Sequence, residues 1–214
     1  MKKLSLNPNR IIMPGEYDIG NMPILKIYDR IYSRRKEIVL PPVIVTTLGD
    51  TEEIKQWLEK MYQHWERPVL FSNLTLGTLE GRRKDYEQLF EKLASAYLLL
   101  DGNHRSISAC LNHRKVSALE VNCDKDLEEI RRMVECGELF NFNREETSLH
   151  NLRREFVAYC LSLNIRESDD SFTFCDGKES QLKYIKTVEE RVQELVENKD
   201  IPDYMIAKYL GEGK

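Results

Sequence analysis

The chain has 214 residues, of which 41% are hydrophobic and 32% are charged, and its formal net charge at pH 7 is −4. This composition fits one sizeable globular domain, excludes wholesale disorder, and disfavours the basic surface that non-specific nucleic-acid binding requires. The five cysteines are scattered without a Cys-x-x-Cys pair, and no stretch approaches the roughly 20 apolar residues of a membrane helix. These features predict a reduced, cytoplasmic protein without a membrane span.

The first half of the chain is predicted to contain a short strand, a helix, a second strand and a long insertion. Residues 1 to 20 are interrupted by prolines and glycines, and a short strand fits residues 10 to 13. Apolar residues recur at helical spacing from Ile24 to Tyr32. The β-branched run that follows two prolines predicts a strand over residues 40 to 48. Residues 49 to 96 are predicted to form a mainly helical insertion between two core strands.

The second half of the chain is predicted to begin with strands and to end in helices. Residues 97 to 100 are expected to form a buried strand, followed by a helix from about His104 to His113 and a strand over residues 116 to 121. Residues 165 to 180 are expected to form a loop or a small hairpin. The other predicted elements are helices near residues 127–139, 147–163, 179–198 and 202–210.

The five residues that follow the predicted buried strand are Asp101, Gly102, Asn103, His104 and Arg105. Where a strand turns at once into a helix, the first helical N–H groups have no intrahelical partners and the helix dipole favours an anion. Gly102 allows a positive φ or a close backbone approach, and His104 and Arg105 can hydrogen-bond to phosphate oxygens. Asp101 is then expected to bind a metal, to orient a basic side chain or to accept a proton. The alternative is an ordinary turn, in which Asp101 caps the helix and Arg105 lies on a solvated face.

This strand, turn and helix, together with the strands in LPPVIVTTL and KVSALEV, resemble the ParB/sulfiredoxin superfamily over roughly residues 10 to 122. Gly102, Arg105 and Ser108 occupy the positions of its G-x-x-R-x-x-A motif. The resemblance implies an α/β domain in which nucleotide phosphates bind at this turn. It does not extend to sulfiredoxin chemistry, because Asn103 stands where sulfiredoxins carry the catalytic cysteine and an amide cannot replace a thiolate nucleophile.

Within the superfamily, the motif is most similar to the Asp-Gly-His-His-Arg of the free-serine kinases, which residues 101 to 105 match at four of five positions. Pro14-Gly15-Glu16 resembles the Pro-x-Glu that supplies their catalytic carboxylate. The resemblance implies that Glu16 is the general base and that His104 and Arg105 hold phosphate. It also implies that Asp101 orients the site or helps to hold Mg²⁺. The candidate residues are therefore Glu16, Asp101 and His104 for catalysis, Asp101 for the metal, and Gly102, Asn103, His104, Arg105 and Ser106 for the nucleotide.

The sequence as a whole predicts a mixed α/β fold of ParB/sulfiredoxin type. Residues 1 to 137 are expected to form that domain, with the helical insertion at about residues 49 to 96, and residues 138 to 214 a mainly helical C-terminal region. The expected function is that of a phosphotransferase, a small-molecule kinase or an ATPase, which uses ATP or another nucleotide with Mg²⁺ and an acceptor that is left open. One alternative is a ParB-like DNA-binding or nuclease protein, which the net charge disfavours. The other is a regulatory module that binds nucleotide without catalysis.

Overall fold

The computed structural model describes residues 1–13, 21–34, 40–49, 91–93, 95–139, 148–160, 163–166, 171–174 and 185–211, together with residues 52, 56, 59, 88 and 142. Glu16 and most of the predicted insertion over residues 49 to 96 lie outside these ranges. Within them, no helix is long and apolar enough to cross a membrane.

The described part of the chain includes eight strands and six longer α-helices. The strands are β1 (Lys2–Leu6), β2 (Ile11–Met13), β3 (Val43–Thr46), β4 (Tyr97–Asp101), β5 (Val116–Glu120), β6 (Leu163–Arg166), β7 (Ser171–Phe174) and β8 (Lys186–Thr187). The helices are α1 (Met22–Ser33), α2 (Asn103–Leu111), α3 (Asp124–Glu135), α4 (Leu149–Cys160), α5 (Val188–Glu197) and α6 (Asp203–Leu210). A 3₁₀ turn, Pro8–Arg10, precedes β2.

The predicted elements that correspond to β2, α1, β3, β4, α2 and β5 are confirmed in order, and the expected hairpin is formed by β6 and β7. The helix predicted from about residue 179 is wrong at residues 186 and 187, which form β8. The reason is a capping box that starts α5 at Val188. Thr187 Oγ1 accepts a hydrogen bond from the backbone N–H of Glu190 at 3.1 Å, and the Glu190 carboxylate accepts one from the backbone N–H of Thr187 at 2.6 Å.

Six of the strands form one mixed sheet in the order β1-β5-β3-β4-β2-β8, while β6 and β7 pair separately. Strand β4 runs parallel to β2 and antiparallel to β3. The carboxyl ends of β2 and β4 therefore lie at one edge of the sheet, where β3 begins. This edge, marked by Met13, Asp101 and Val43, is called the upper edge below.

Helices cover both faces of the sheet, so the fold is mixed α/β. One face packs against α1, α2, α5 and α6, and the other against α3 and α4. Strand β8 and helices α5 and α6 come from the predicted C-terminal region, yet they share a sheet and a core with the first 137 residues. The first core includes Leu25, Val43, Leu99, Ile107, Val188, Val192 and Met205, and the second includes Ile44, Leu119, Leu127, Ile130, Leu149 and Leu152.

One buried carboxylate connects α1, α2 and α6. Asp29 of α1 is only 1% exposed, and its Oδ1 accepts a hydrogen bond from Nδ2 of Asn112, the residue after α2, at 2.9 Å. The same oxygen forms an ion pair with the Lys208 ammonium of α6. Lys208 also donates to Ser33 Oγ at 3.0 Å. Because a buried charge needs compensating partners, this cluster fixes the carboxyl end of α2 against two neighbouring helices.

Replacing Lys208 by Met is expected to destabilise the protein by about 2 kcal/mol, because the buried carboxylate of Asp29 then keeps its cost of desolvation and loses its cation. The free energy of unfolding in urea measures the effect. Lys125→Met is the matched control, since Lys125 is exposed on α3, and it should change stability by less than about 0.5 kcal/mol. Equal effects in the two variants would contradict a structural role for the ion pair.

Candidate functional site

The turn between β4 and α2 has the geometry that the sequence predicts. Gly102 is the N-cap residue of α2 and has φ +108, a left-handed conformation that favours glycine. The first helical hydrogen bond runs from the Ser106 N–H to the Gly102 carbonyl at 2.9 Å. The N–H groups of the first turn of α2 therefore emerge directly after Asp101, without partners inside the helix.

A close approach at Gly102 is also confirmed, and the neighbour that approaches is Val43 of β3. A Cβ atom added to Gly102 would lie 2.5 Å from Val43 Cγ1 and 2.8 Å from Val43 Cβ. The pairing of β4 with β3 is irregular just here, because Ile44 pairs with Asp101 while Val45 pairs with Leu99. An extra residue of this kind bends a strand and redirects its side chains.

Arg105 is buried and holds this turn from the inside. Its side chain is 5% exposed, and Nη2 donates to Asp101 Oδ2 at 2.8 Å. Its Nη1 donates to the carbonyl oxygens of Pro41 at 2.6 Å and Pro42 at 2.7 Å. The alternative that Arg105 lies on a solvated face is therefore wrong. Of the roles expected for Asp101, the structure shows that it orients a basic side chain.

His104 and Ser106 occupy the first turn of α2 beside Arg105. His104 is half-buried, and burial lowers its pKa below the usual 6.5. Its imidazole is therefore mostly neutral at pH 7 and offers a hydrogen bond rather than a charge. Ser106 has no solvent exposure, and its Oγ has no hydrogen-bond partner among the described residues. Because buried hydroxyl groups are normally hydrogen-bonded, this unsatisfied Oγ needs an explanation.

Two helix amino-termini lie together at the upper edge. Ser108 Oγ of α2 donates to the Leu25 carbonyl of α1 at 3.4 Å, and Asn112 Nδ2 donates to Asp29 Oδ1 at 2.9 Å. Both bonds join residues 83 apart in the sequence, so the two helices run parallel and in step. The positive ends of their dipoles therefore point to the same edge and reinforce each other.

Glu16 lies outside the described residues, and its predicted role stays a prediction. The strand before it, β2, ends at Met13, and its residue Ile12 pairs with Leu98 of β4. The chain thus leaves β2 at the upper edge, the same edge at which β4 reaches Asp101. Asn103, which was expected to contact nucleotide, is exposed as the first residue of α2.

The sequence interpretation missed the part that Pro41 and Pro42 play at the turn, where their carbonyls accept hydrogen bonds from Arg105. Pro41 and Pro42 were interpreted only as the residues that begin a strand. A rigid proline segment also presents carbonyl groups that can accept hydrogen bonds from a side chain. The prolines lie 64 and 63 residues before Arg105, so no local sequence pattern indicates that they are its partners.

No group of three or more His, Cys, Asp or Glu side chains in the described ranges is arranged to hold a metal ion. Comparison with known proteins finds no match, whether to a family model, to a curated protein or to a solved structure.

Replacing Gly102 by Ala is expected to destabilise the protein by about 3 kcal/mol, because the added Cβ overlaps Val43 and a side chain disfavours a φ of +108. Gly137→Ala is the matched control, since Gly137 has φ +75 and open space around an added Cβ. It should lose only the backbone cost of about 1 kcal/mol. Urea unfolding measures both, and equal losses would contradict the close packing at Gly102. Val43→Ala in the Gly102→Ala background should recover part of the loss.

Proposed function

We propose that the protein is a nucleotide-binding phosphotransferase of ParB/sulfiredoxin type, most similar in its motif to the free-serine kinases, and that phosphates bind at the amino-terminus of α2. The observation that carries the proposal is the buried, unsatisfied hydroxyl of Ser106 in the first turn of that helix. Helical side chains lean toward the helix amino-terminus, so this hydroxyl lies on the Gly102 side of its own Cα. A phosphate oxygen at the turn would give it the missing hydrogen bond.

The backbone is the main source of positive potential in this site. The N–H groups of the first turn of α2 have no partners inside the helix and point toward the proposed phosphate, and the neighbouring amino-terminus of α1 adds to the potential. His104 supplies a further hydrogen bond, and binding of phosphate would favour its protonated form. Arg105 contributes chiefly by holding Asp101 and the Pro41-Pro42 segment in place. Its positive charge still acts on a phosphate nearby, at short range and in a desolvated setting.

Asp101 is suited to help hold Mg²⁺ next to bound phosphates. Its side chain is 32% exposed, and Mg²⁺ in phosphoryl-transfer sites takes one or two carboxylates, with phosphate oxygens and water as the other ligands. The absence of a larger acidic cluster among the described residues is compatible with this arrangement. When bound, the metal would neutralise part of the charge of the phosphates.

Phosphoryl transfer requires a positioned nucleotide and a base for the acceptor hydroxyl. In the proposed reaction the acceptor oxygen forms a bond to the γ-phosphorus of ATP, and the bond from that phosphorus to the oxygen bridging it to the β-phosphate breaks. ADP leaves, and the hydroxyl proton passes to the Glu16 carboxylate. The acceptor is a small hydroxyl compound, and the motif makes free serine the first one to test.

Replacing Ser106 by Ala separates binding from stability. The variant should bind ADP with Mg²⁺ about tenfold more weakly, because one hydrogen bond to phosphate is lost. Without ligand it should be more stable than the parent protein by about 1 kcal/mol, because an unsatisfied buried hydroxyl is removed. Isothermal calorimetry and urea unfolding measure the two effects.

Ser117→Ala is the control for this pair of measurements, since Ser117 is exposed on β5, and it should leave both values unchanged. If calorimetry and thermal shift show no binding of any nucleotide to the parent protein, with or without Mg²⁺, the proposed function is wrong.

Replacing Glu16 by Gln should keep nucleotide affinity within about twofold and slow phosphoryl transfer by about 100-fold or more, because a general base is lost. Release of ADP from ATP and Mg²⁺, measured with free serine and a panel of small hydroxyl compounds, gives the rate. A parent protein that binds nucleotide and transfers nothing to any of these acceptors would instead be a regulatory module. A Glu16→Gln variant with full activity would exclude Glu16 as the base.

A further inference from the structure

The outward face of α1 carries an exposed row of apolar side chains. Ile24 is 36% exposed and Ile27 is 56% exposed, although the other face of the same helix already packs in the core through Leu25. Tyr28 and Ile31 follow Ile24 by one and two helical turns and are partly exposed. These four side chains form one row along the helix, called the α1 stripe below. The outward face of a surface helix is normally polar, so such a stripe indicates an interaction surface.

The exposed charged residues of α1 and its carboxyl end are all basic. Lys26, Arg30 and Arg34 are exposed. Asp29, the only acid of the helix, is buried and paired with Lys208. The outer side of α1 therefore presents positive charge beside apolar side chains, on a chain whose net charge is −4. A surface of this kind is complementary to a partner that is both apolar and acidic.

A second copy of this chain fits the α1 stripe poorly. Two-fold pairing of α1 with itself would bring Lys26 and Arg30 of both copies together, and like charges across an interface oppose association. Two turns of one helix also bury far less than the roughly 1,200 Å² that a stable interface needs. An anionic membrane would repel the net negative charge of the chain, and the short stripe offers it little apolar area. A single helix of a partner protein needs no larger surface than this one.

We propose that the α1 stripe is a docking surface for an amphipathic helix of another protein, with apolar residues at helical spacing and acidic residues beside them. The apolar side chains of that helix would pack between Ile24, Ile27 and Ile31. Its carboxylates would pair with Lys26 and Arg30. The small contact area predicts an affinity in the micromolar range. This inference is independent of the proposed nucleotide-binding function.

Fluorescence anisotropy with the full chain tests the proposal. The probe is a labelled peptide of about 18 residues, with Leu at the apolar positions of an amphipathic helix and Glu or Ala at the others. The parent protein should bind it with a Kd of about 50 μM or lower and should not bind the same peptide with Lys in place of Glu. Ile27→Glu should weaken binding at least about tenfold, because it removes an apolar contact and places a carboxylate opposite those of the peptide.

Leu210→Glu is the matched control, because Leu210 is 54% exposed on α6 and gains the same charge outside the α1 stripe. It should leave the affinity for the peptide unchanged. Both replaced side chains are exposed, so the midpoint of urea unfolding should stay the same in both variants. The proposal is overturned if the parent protein does not bind the acidic peptide, or if the two variants lose affinity equally.

Two further measurements identify a different occupant of the α1 stripe. In sedimentation velocity, a parent dimer that Ile27→Glu converts to a monomer would assign the stripe to a second copy of this chain. In co-sedimentation with vesicles of phosphatidylglycerol and phosphatidylcholine, binding that Ile27→Glu abolishes would assign it to a membrane. Either result overturns the proposal, whereas a monomer that does not bind vesicles and binds the acidic peptide through Ile27 supports it.

Discussion

The upper edge of the sheet depends on one guanidinium group. Arg105 of α2 bonds to Asp101 at the end of β4 and to the two proline carbonyls that precede β3. Pro41 and Pro42 have no N–H groups to offer a neighbouring strand, and their carbonyl oxygens still need donors when they are partly buried. The planar guanidinium of an arginine can donate hydrogen bonds to both carbonyls and to a carboxylate at once. The ammonium group of a lysine would bind the same oxygens with a less defined geometry. The conformation at Gly102 follows from this, since Val43 and the guanidinium occupy the space that a side chain would need.

The turn could be predicted from the sequence because its signals are local. Within 15 residues the sequence contains an apolar run, a glycine and further apolar residues at helical spacing. The structure confirms the strand β4, the positive φ of Gly102 and the helix α2. The environment of Arg105 could not be predicted, because its carbonyl partners lie 63 and 64 residues earlier in the chain. A single sequence shows that an arginine follows a turn, but not whether solvent, a ligand or a distant proline surrounds it.

The position of α2 in the fold was also hidden, because its sequence does not resemble that of a buried helix. Seven of its nine residues are buried, and these include Arg105, Ser106 and Ser108. Small side chains such as serine, alanine and cysteine let α1, α5 and α6 pack closely around it. The two-residue strand β8 is too short to produce a periodic pattern, so its addition to the sheet was missed as well. The packing of α5 and α6 around α2 and the addition of β8 to the sheet are both contributions of the C-terminal region to the core.

The same helix that offers its amino-terminus at the candidate site is anchored at its other end. Asn112 follows α2 directly and binds Asp29, which is paired with Lys208 of α6. A phosphate site made of backbone N–H groups has no long side chains that could adjust to the ligand, so its precision depends on how rigidly the helix is held. The buried ion pair near the C-terminus therefore supports the site from the far end of α2. The buried Ser106 hydroxyl without a hydrogen-bond partner costs stability, and in the proposed phosphate site a ligand oxygen would supply the missing partner.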